Sequence, residues 1–485
     1  MEATAGLAII FLFMLIPLGI GFYAASKSLN TSEDYFIQGR AMGSVAVFFT
    51  VAATWWSAFA FLGSNAYFYT HGPVYWTALP WNLLFGFMYF LIGRKVWQVG
   101  KKFGYITPSD LFGDRYKSEF LRILVGLIMI VFTVPYLQIQ LMGGAYLIQV
   151  ASGNMLPFWL AGLLFYVVII VYVWVGGIRA VAWTDIFYGV LLFFGMIVAG
   201  FLVAGQVGGH EALFTKLAQS SPQHLTMPGP KGVMGYNMWL SLFLITPIGA
   251  IMGPQLWLRM YSVKSGKLFR LMPFLLGLAA IAYIGSLFAG FTGVLLEPGI
   301  ANADQVLPTM LLKYAPFALA SLLIAGGAAA AMSTANSQVH AIATIVTADF
   351  YKRYSNPKAS QDVLIRTGRI ALLAFSLAAY VLALFVPGLL VTIGLVALGG
   401  TAQVIVPTIG ALYWKRSTAA GAIAGLIVGI AAVLLLTFVP GWNNPLGYHA
   451  GLWGLVGNAI VFVVVSLATA PRTMEEAERY SRALA

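Results

Sequence analysis

The sequence predicts an all-α integral membrane protein of about 13 transmembrane helices, and three observations lead there. Of its 485 residues, 60% are hydrophobic and only 9% are charged, against roughly 45–50% and about 25% in soluble proteins. So few charges cannot dress a surface that meets water on every side. The hydrophobic residues fall in runs of about 20, the length that crosses a bilayer. The basic residues gather in alternate loops, as they do where cytoplasmic loops carry the excess of Lys and Arg. A soluble enzyme, a secreted disulfide scaffold and a disordered chain are excluded. The absence of cysteine also removes disulfides, thiolate metal sites and cysteine nucleophiles.

Hydrophobic segments are read near 4–26, 42–70, 73–97, 119–150, 156–175, 180–206, 236–261, 268–296, 311–349, 366–387, 389–414, 418–439 and 450–470. The first begins Met1-Glu2 without a basic region, and the first positive charge, Lys27, follows the apolar run. It therefore reads as a retained helix with its N-terminus outside, not a cleaved signal. In that orientation 24 of the 27 Lys and Arg residues are cytoplasmic, from Lys27 and Arg40 through Arg179, Arg259 and Arg353 to Arg482. Only Lys216, Lys231 and Lys313 remain outside. One span more or fewer would scramble this asymmetry. The net charge of +12 therefore records topology and does not point to a nucleic-acid partner. Residues 1–472 form one transmembrane domain on this reading, and 473–485 form a short, solvated cytoplasmic tail with a charged sequence.

Taken in order, four segments carry chemistry. The second has a small and polar patch at Ala52, Ala53, Thr54 and Ser57. Beside it, Trp55, Trp56 and Phe59 could wall a solute pocket or simply pack. The sixth contains Asp185, the acid best placed within a span, where a carboxylate is costly and is functional or paired. The seventh holds Pro247, Gly249, Gly253 and Pro254 within eight residues. Proline removes a helix hydrogen bond, and open backbone at membrane depth must be buried in protein or line an aqueous cavity. Paired interruptions in segments two and seven point to two inverted five-helix repeats, about 42–206 and 236–414, around a midplane site. The first helix would be peripheral and two helices would follow the repeats. Ordinary kinks are the bland alternative.

In the ninth segment Ala330, Ser333, Thr334 and Ser337 fall at i, i+3, i+4 and i+7, one helix face. Hydroxyl and carbonyl oxygens suit a small hard cation, although small and hydroxylated residues also let helices pack closely. His340, on the edge of that face, is a proton carrier or a packing residue. Asp349 beside Lys352 and Arg353 reads as solvated and interfacial. Gln138, Gln140, Gln255 and Gln403 are spare polar groups in apolar helices, any of which could face a cavity. No basic residue is deep enough in a span to serve as a carboxylate clamp.

With these residues in place, GGIRAVAWTD, AAAAMSTANSQVHAIATIVTADFYKR, FIQGRAMG and ATWWSAFAFLG resemble the sodium/solute symporter family over essentially the whole chain. The resemblance implies a LeuT-like core and alternating access. It also implies a main sodium site from the carbonyls of Ala53, Trp56 and Ala330 with the hydroxyls of Ser333 and Thr334. A second ion site in some relatives maps onto Asp185, Ser333 and Ser337, but Asn336 replaces a hydroxyl residue of that pattern. Trp55 stands where proline-type relatives carry an aspartate, and Tyr188 where the WTD motif often continues to glutamine.

The function expected is a sodium-coupled symporter of the cell membrane, its C-terminus cytoplasmic. It would import a small polar organic solute such as a monocarboxylate, amino acid or pantothenate-like acid. Candidate pocket residues are Trp55, Ser57, Phe59, Gln138, Gln255 and Gln403. Sodium is the coupling ion, with no other cofactor; the partners are solute, sodium and membrane lipid, with no nucleic acid and no obligate protein partner. Proton coupling through Asp185 and His340, or a transporter-like solute sensor, are the alternatives. HExxH, G-x-S-x-G and Walker-type motifs are absent from the sequence, so no enzyme is expected.

Overall fold

The structure is a computed structural model describing residues 2–26, 31–470 and 474–484. Lys27 and Arg472, two of the charges read as cytoplasmic, lie outside the described residues, as does the side chain of Arg179. The regular structure of the described residues is helical, apart from one isolated parallel bridge between Met42 and Val263.

Both expected interruptions are breaks. The first broken helix runs Ser44–Trp55, and at Trp56 the backbone leaves helical geometry (φ −84°, ψ 74°) before helical turns resume at Phe59. The second runs Tyr236–Met252, breaks at Gly253 (ψ 135°), and restarts as Pro254–Ser262 bent by 57°. Proline fits the first turn of a helix, where its missing N–H has no intrahelical partner to lose, so Pro254 starts the second half. The bridge ties the start of the first broken helix to the end of the second: Met42 donates its N–H to Ser262 O at 3.0 Å, and Lys264 donates to Met42 O at 3.0 Å.

The helix carrying the hydroxyl stripe spans Phe317–Ile345 and winds on to Ser355. Its stripe is fully packed, with Ala330, Ser333, Thr334 and Ser337 all buried. Glycine permits close approach elsewhere: a Cβ on Gly249 would stand 2.2 Å from Leu398 O, and one on Gly285 would stand 2.1 Å from Met196 O.

Several expectations are corrected, and the exact count of 13 spans is not confirmed. Among the described residues nine helices are long and apolar enough to cross a membrane, or ten with the bent pair. Segments five and six, expected to be separated near 176–179, form one continuous helix, Phe158–Gly205. Gly176 and Gly177 lower helix propensity, but neither removes a backbone donor as a proline would. Asp349 is not solvated; it is buried and accepts from Thr107 Oγ1 at 2.7 Å. Nor is the tail simply solvated. Met474–Leu484 is a helix whose Ala477 and Tyr480 are buried, and Arg479 pairs with Asp114 at 3.1 Å.

Candidate functional site

A helix leaves the carbonyls of its last turn without intrahelical partners. Where Ser44–Trp55 ends, those carbonyls meet the hydroxyl stripe. Thr334 Oγ1 donates to Thr54 O at 3.1 Å and to Ala53 O at 3.4 Å. Ala330 lies one turn earlier on the same face, and Ser333 is adjacent. Ala53, Trp56, Ala330, Ser333 and Thr334 are all buried. Neutral oxygens at such a break can hold a small cation without leaving a fixed charge in the bilayer when it departs.

Beside them is a second polar cluster, centred on Asp185. Its Oδ1 accepts from Ser333 Oγ at 2.5 Å, and its Oδ2 accepts from Thr50 Oγ1. Ser333 thus borders both clusters. The buried side chain of Arg259 faces Asp185 with Nη2 at 3.3 Å from Oδ2. Nη2 also donates to Ser337 Oγ at 2.5 Å, Nε to Thr50 Oγ1 at 2.9 Å, and Nη1 to Gln255 O at 2.7 Å. Ser337 Oγ lies 3.3 Å from Thr54 Oγ1. Arg259 is therefore not a cytoplasmic marker, and the expectation of no deep basic residue is overturned. Asn336 is buried, and neither amide atom has a partner among the described residues.

The pocket candidates separate. Trp55 donates Nε1 to Asn82 Oδ1 at 2.7 Å and stacks on Phe85 with ring centres 4.6 Å apart. Trp81 lies edge-on to it, and Phe59 sits 6.3 Å from Tyr136 and 6.4 Å from Trp81. These rings form an aromatic shell beside the break. Trp56 points elsewhere, stacked on Phe193 beside an apolar cleft of about 200 Å³. Ser57 Oγ accepts from Phe59 N at 3.1 Å, starting the second half of the broken helix. Gln255 is buried with Oε1 unpartnered among the described residues.

Gln138 and Gln403 are not brought to the site. Gln138 donates to Val386 O at 2.9 Å, beyond the end of the helix Gln361–Phe385. Gln403 donates to Gly399 O and Gly451 O, and accepts from Asn458. It is Gln140 that reaches the break, accepting the Ala58 N–H at 3.0 Å. His340 is buried against Tyr35 and Phe36, with Nε2 3.2 Å from Phe36 O.

Residues the sequence reading missed here are Thr50, Asn82, Trp81 and, above all, Arg259. One signal for Arg259 was available. It lies within the predicted seventh segment, one helical turn past Gln255 and five residues beyond Pro254, and a buried Asp185 needed a partner.

Two helices broken in mid-span, joined by a hydroxyl-bearing helix and a buried carboxylate, define a membrane carrier of small hydrophilic cargo. The chain belongs to the sodium:solute symporter family, which matches residues 35–429. It is thus a sodium-coupled transporter and not an enzyme. It is 28% identical over 469 residues to the sodium/pantothenate symporter of Haemophilus influenzae, covering 94% of each chain. It is 26% identical over 471 residues to the sodium/proline symporter of Staphylococcus aureus, covering 94% of this chain and 90% of that one. Its fold is that of a sodium-coupled sialic acid symporter in a substrate-bound outward-open state. There the TM-score is 0.81 at 21% identity, with 96% of this chain and 98% of the other covered.

Proposed function

We propose that sodium binds at the first break, held by the carbonyls of Ala53, Trp56 and Ala330 and the hydroxyls of Ser333 and Thr334. The observation that supports this most is the Thr334 hydroxyl lying on the Ala53 and Thr54 carbonyls where the helix ends. A cation there draws the broken helix and the stripe helix together, and its departure releases them. That gives a two-state element that sodium biases. By linkage, a solute that prefers the same arrangement raises sodium affinity by the factor sodium raises its own.

The solute is a compact polar organic molecule: a monocarboxylate, an amino acid or a pantothenate-like acid. It sits against Trp55, Phe59 and Trp81, with Gln255 as a polar partner. Residues 42–206 and 236–414 act as inverted repeats that rock about this site in the cell membrane. The N-terminus faces outside and the C-terminus faces the cytoplasm, as the loop charges support. A thermal-shift screen of such solutes tests the reading, run in sodium chloride and in choline chloride. A bound solute stabilises the folded state by mass action. At least one monocarboxylate, amino acid or pantothenate-like acid should raise the melting temperature in sodium and none in choline. Equal shifts in both salts contradict it.

A further inference from the structure

We propose that the basic pocket under the C-terminal tail helix binds a phosphate group, supplied by the headgroup of an anionic phospholipid or by a small soluble phosphate ester. The pocket lies between Met474–Leu484, the end of the helix Ile405–Tyr413 and the start of Arg94–Phe103. It shares no residue with either helix break, so its occupancy does not depend on where sodium binds.

The cavity holds about 340 Å³, and three basic side chains, Lys95, Arg115 and Lys415, border it; among the described residues no acidic side chain does. The three come from separate stretches of chain. Lys95 is in the first turn of Arg94–Phe103, Arg115 in the last turn of Pro108–Tyr116, and Lys415 just past Tyr413. Arg115 is buried, and its Nη2 donates to Lys415 O at 3.3 Å and to Ser417 Oγ at 3.4 Å, which fixes the guanidinium in the wall. Lys95 Nζ stands 3.6 Å from the centre of the Tyr413 ring. The tail closes the pocket with Tyr480 and the hydroxyl of Ser481. Phosphate oxygens take their strongest hydrogen bonds from guanidinium and ammonium groups.

The acids next to the pocket do not cancel its charge. Lys117 pairs with Asp114 at 3.0 Å and Glu476 at 3.2 Å, and Arg479 pairs with the same two at 3.1 and 2.8 Å. That network of two acids and two bases is neutral as a whole. Depth in the membrane adds a second argument. Leu91 and Ile409, four residues before Lys95 and Tyr413, are exposed apolar side chains on the spans Phe59–Phe103 and Leu390–Tyr413. The pocket thus begins where the lipid-facing surface ends, at the level where tyrosine gathers and where basic pockets between membrane helices take anionic headgroups. A phosphate held there would join the tail to both proposed repeats, through Lys95 in 42–206 and the end of Ile405–Tyr413 in 236–414.

A thermal-melt titration of the purified full-length chain in detergent, in potassium salts without sodium, tests this. One probe is phosphatidylglycerol in mixed micelles, with phosphatidylcholine as its control. The other is glycerol 3-phosphate, with potassium chloride of equal ionic strength as its control. At least one probe should raise the melting temperature saturably above its control. A rise with phosphatidylglycerol alone makes a lipid the source; a rise with glycerol 3-phosphate makes the soluble ester sufficient. Lys95→Gln combined with Lys415→Gln should raise the half-saturating concentration by about tenfold or more. Lys352→Gln combined with Lys358→Gln, at exposed positions outside the pocket, should leave it unchanged. Lys415 is exposed, so Lys415→Gln alone serves if the pair is not recovered folded, and it should move half-saturation in the same direction. No saturable rise with either probe, unaltered half-saturation in the pocket variants, or an equal loss in the Lys352 and Lys358 variant would overturn the inference.

Discussion

Replacing Thr334 with valine keeps the shape of the side chain and removes one oxygen. In the structure that oxygen gives hydrogen bonds to Thr54 O at 3.1 Å and Ala53 O at 3.4 Å. Only the shorter has good length, so its loss costs about 1 kcal/mol. With sodium bound, the hydroxyl turns its lone pairs to the ion, and contacts to charged groups contribute about 1.5–3 kcal/mol. The substitution weakens both states, and only the difference, about 0.5–2 kcal/mol, reaches the binding constant. That raises the sodium concentration for half-saturation roughly 2–30-fold, while the melting temperature without sodium falls only slightly. Thr334→Ser restores the oxygen and should lie close to wild type. The assay is a sodium titration of thermal stability, repeated with uptake into proteoliposomes. A Thr334→Val protein with unaltered half-saturation would refute the placement of the ion at this break.

Three further outcomes follow from the geometry. Gln140→Leu leaves the buried Ala58 N–H without its acceptor, so the melting temperature should drop by the equivalent of about 1–3 kcal/mol; an unchanged melt would show that the second half of the broken helix does not need this cap. Gly249→Ala places a methyl 2.2 Å from Leu398 O, which neither helix backbone can yield cheaply. It should cost about 1–3 kcal/mol as overpacking does, read as lower stability, and full wild-type stability would refute the close contact. Burial pushes the Asp304 carboxyl, in the loop before Val306–Tyr314, up to about 7, with the Leu390 N–H opposing. A carboxyl with a raised folded value stabilises the fold while protonated, and that contribution is lost as pH rises from about 4 to 7. The melting temperature should therefore fall across that window in wild type and much less in Asp304→Asn; equal slopes would contradict the assignment.

The parts of the site written in local sequence were legible. Gly253 and Pro254 mark the break because proline and glycine act on their own backbone, while Pro247 lies inside the unbroken helix Tyr236–Met252. The stripe from Ala330 to Ser337 needs only the helical repeat. What could not be read depends on partners far along the chain. Loop charge rules place an arginine by its distance from a span end, and the long side chain usually snorkels to water. Arg259 turns inward instead because Asp185, 74 positions away, supplies the counter-charge. Gln138 and Gln140 differ by two positions on one helix, yet one meets a neighbouring helix and the other the break at Ala58. Periodicity says they face different ways but not which neighbour each meets. The docking of the tail through Tyr480 depends likewise on the distant Tyr105 and Asp114. The continuous helix Phe158–Gly205 escaped for a different reason: two glycines and an arginine have the composition of a turn without enforcing one.

Solute accumulation by proteoliposomes under an imposed inward sodium gradient tests the central claim most directly, using a solute that stabilises the protein in sodium. Uptake should rise above equilibrium while the gradient lasts and collapse when potassium or choline replaces sodium. Accumulation that persists without sodium, or that follows an imposed pH gradient instead, would contradict the account.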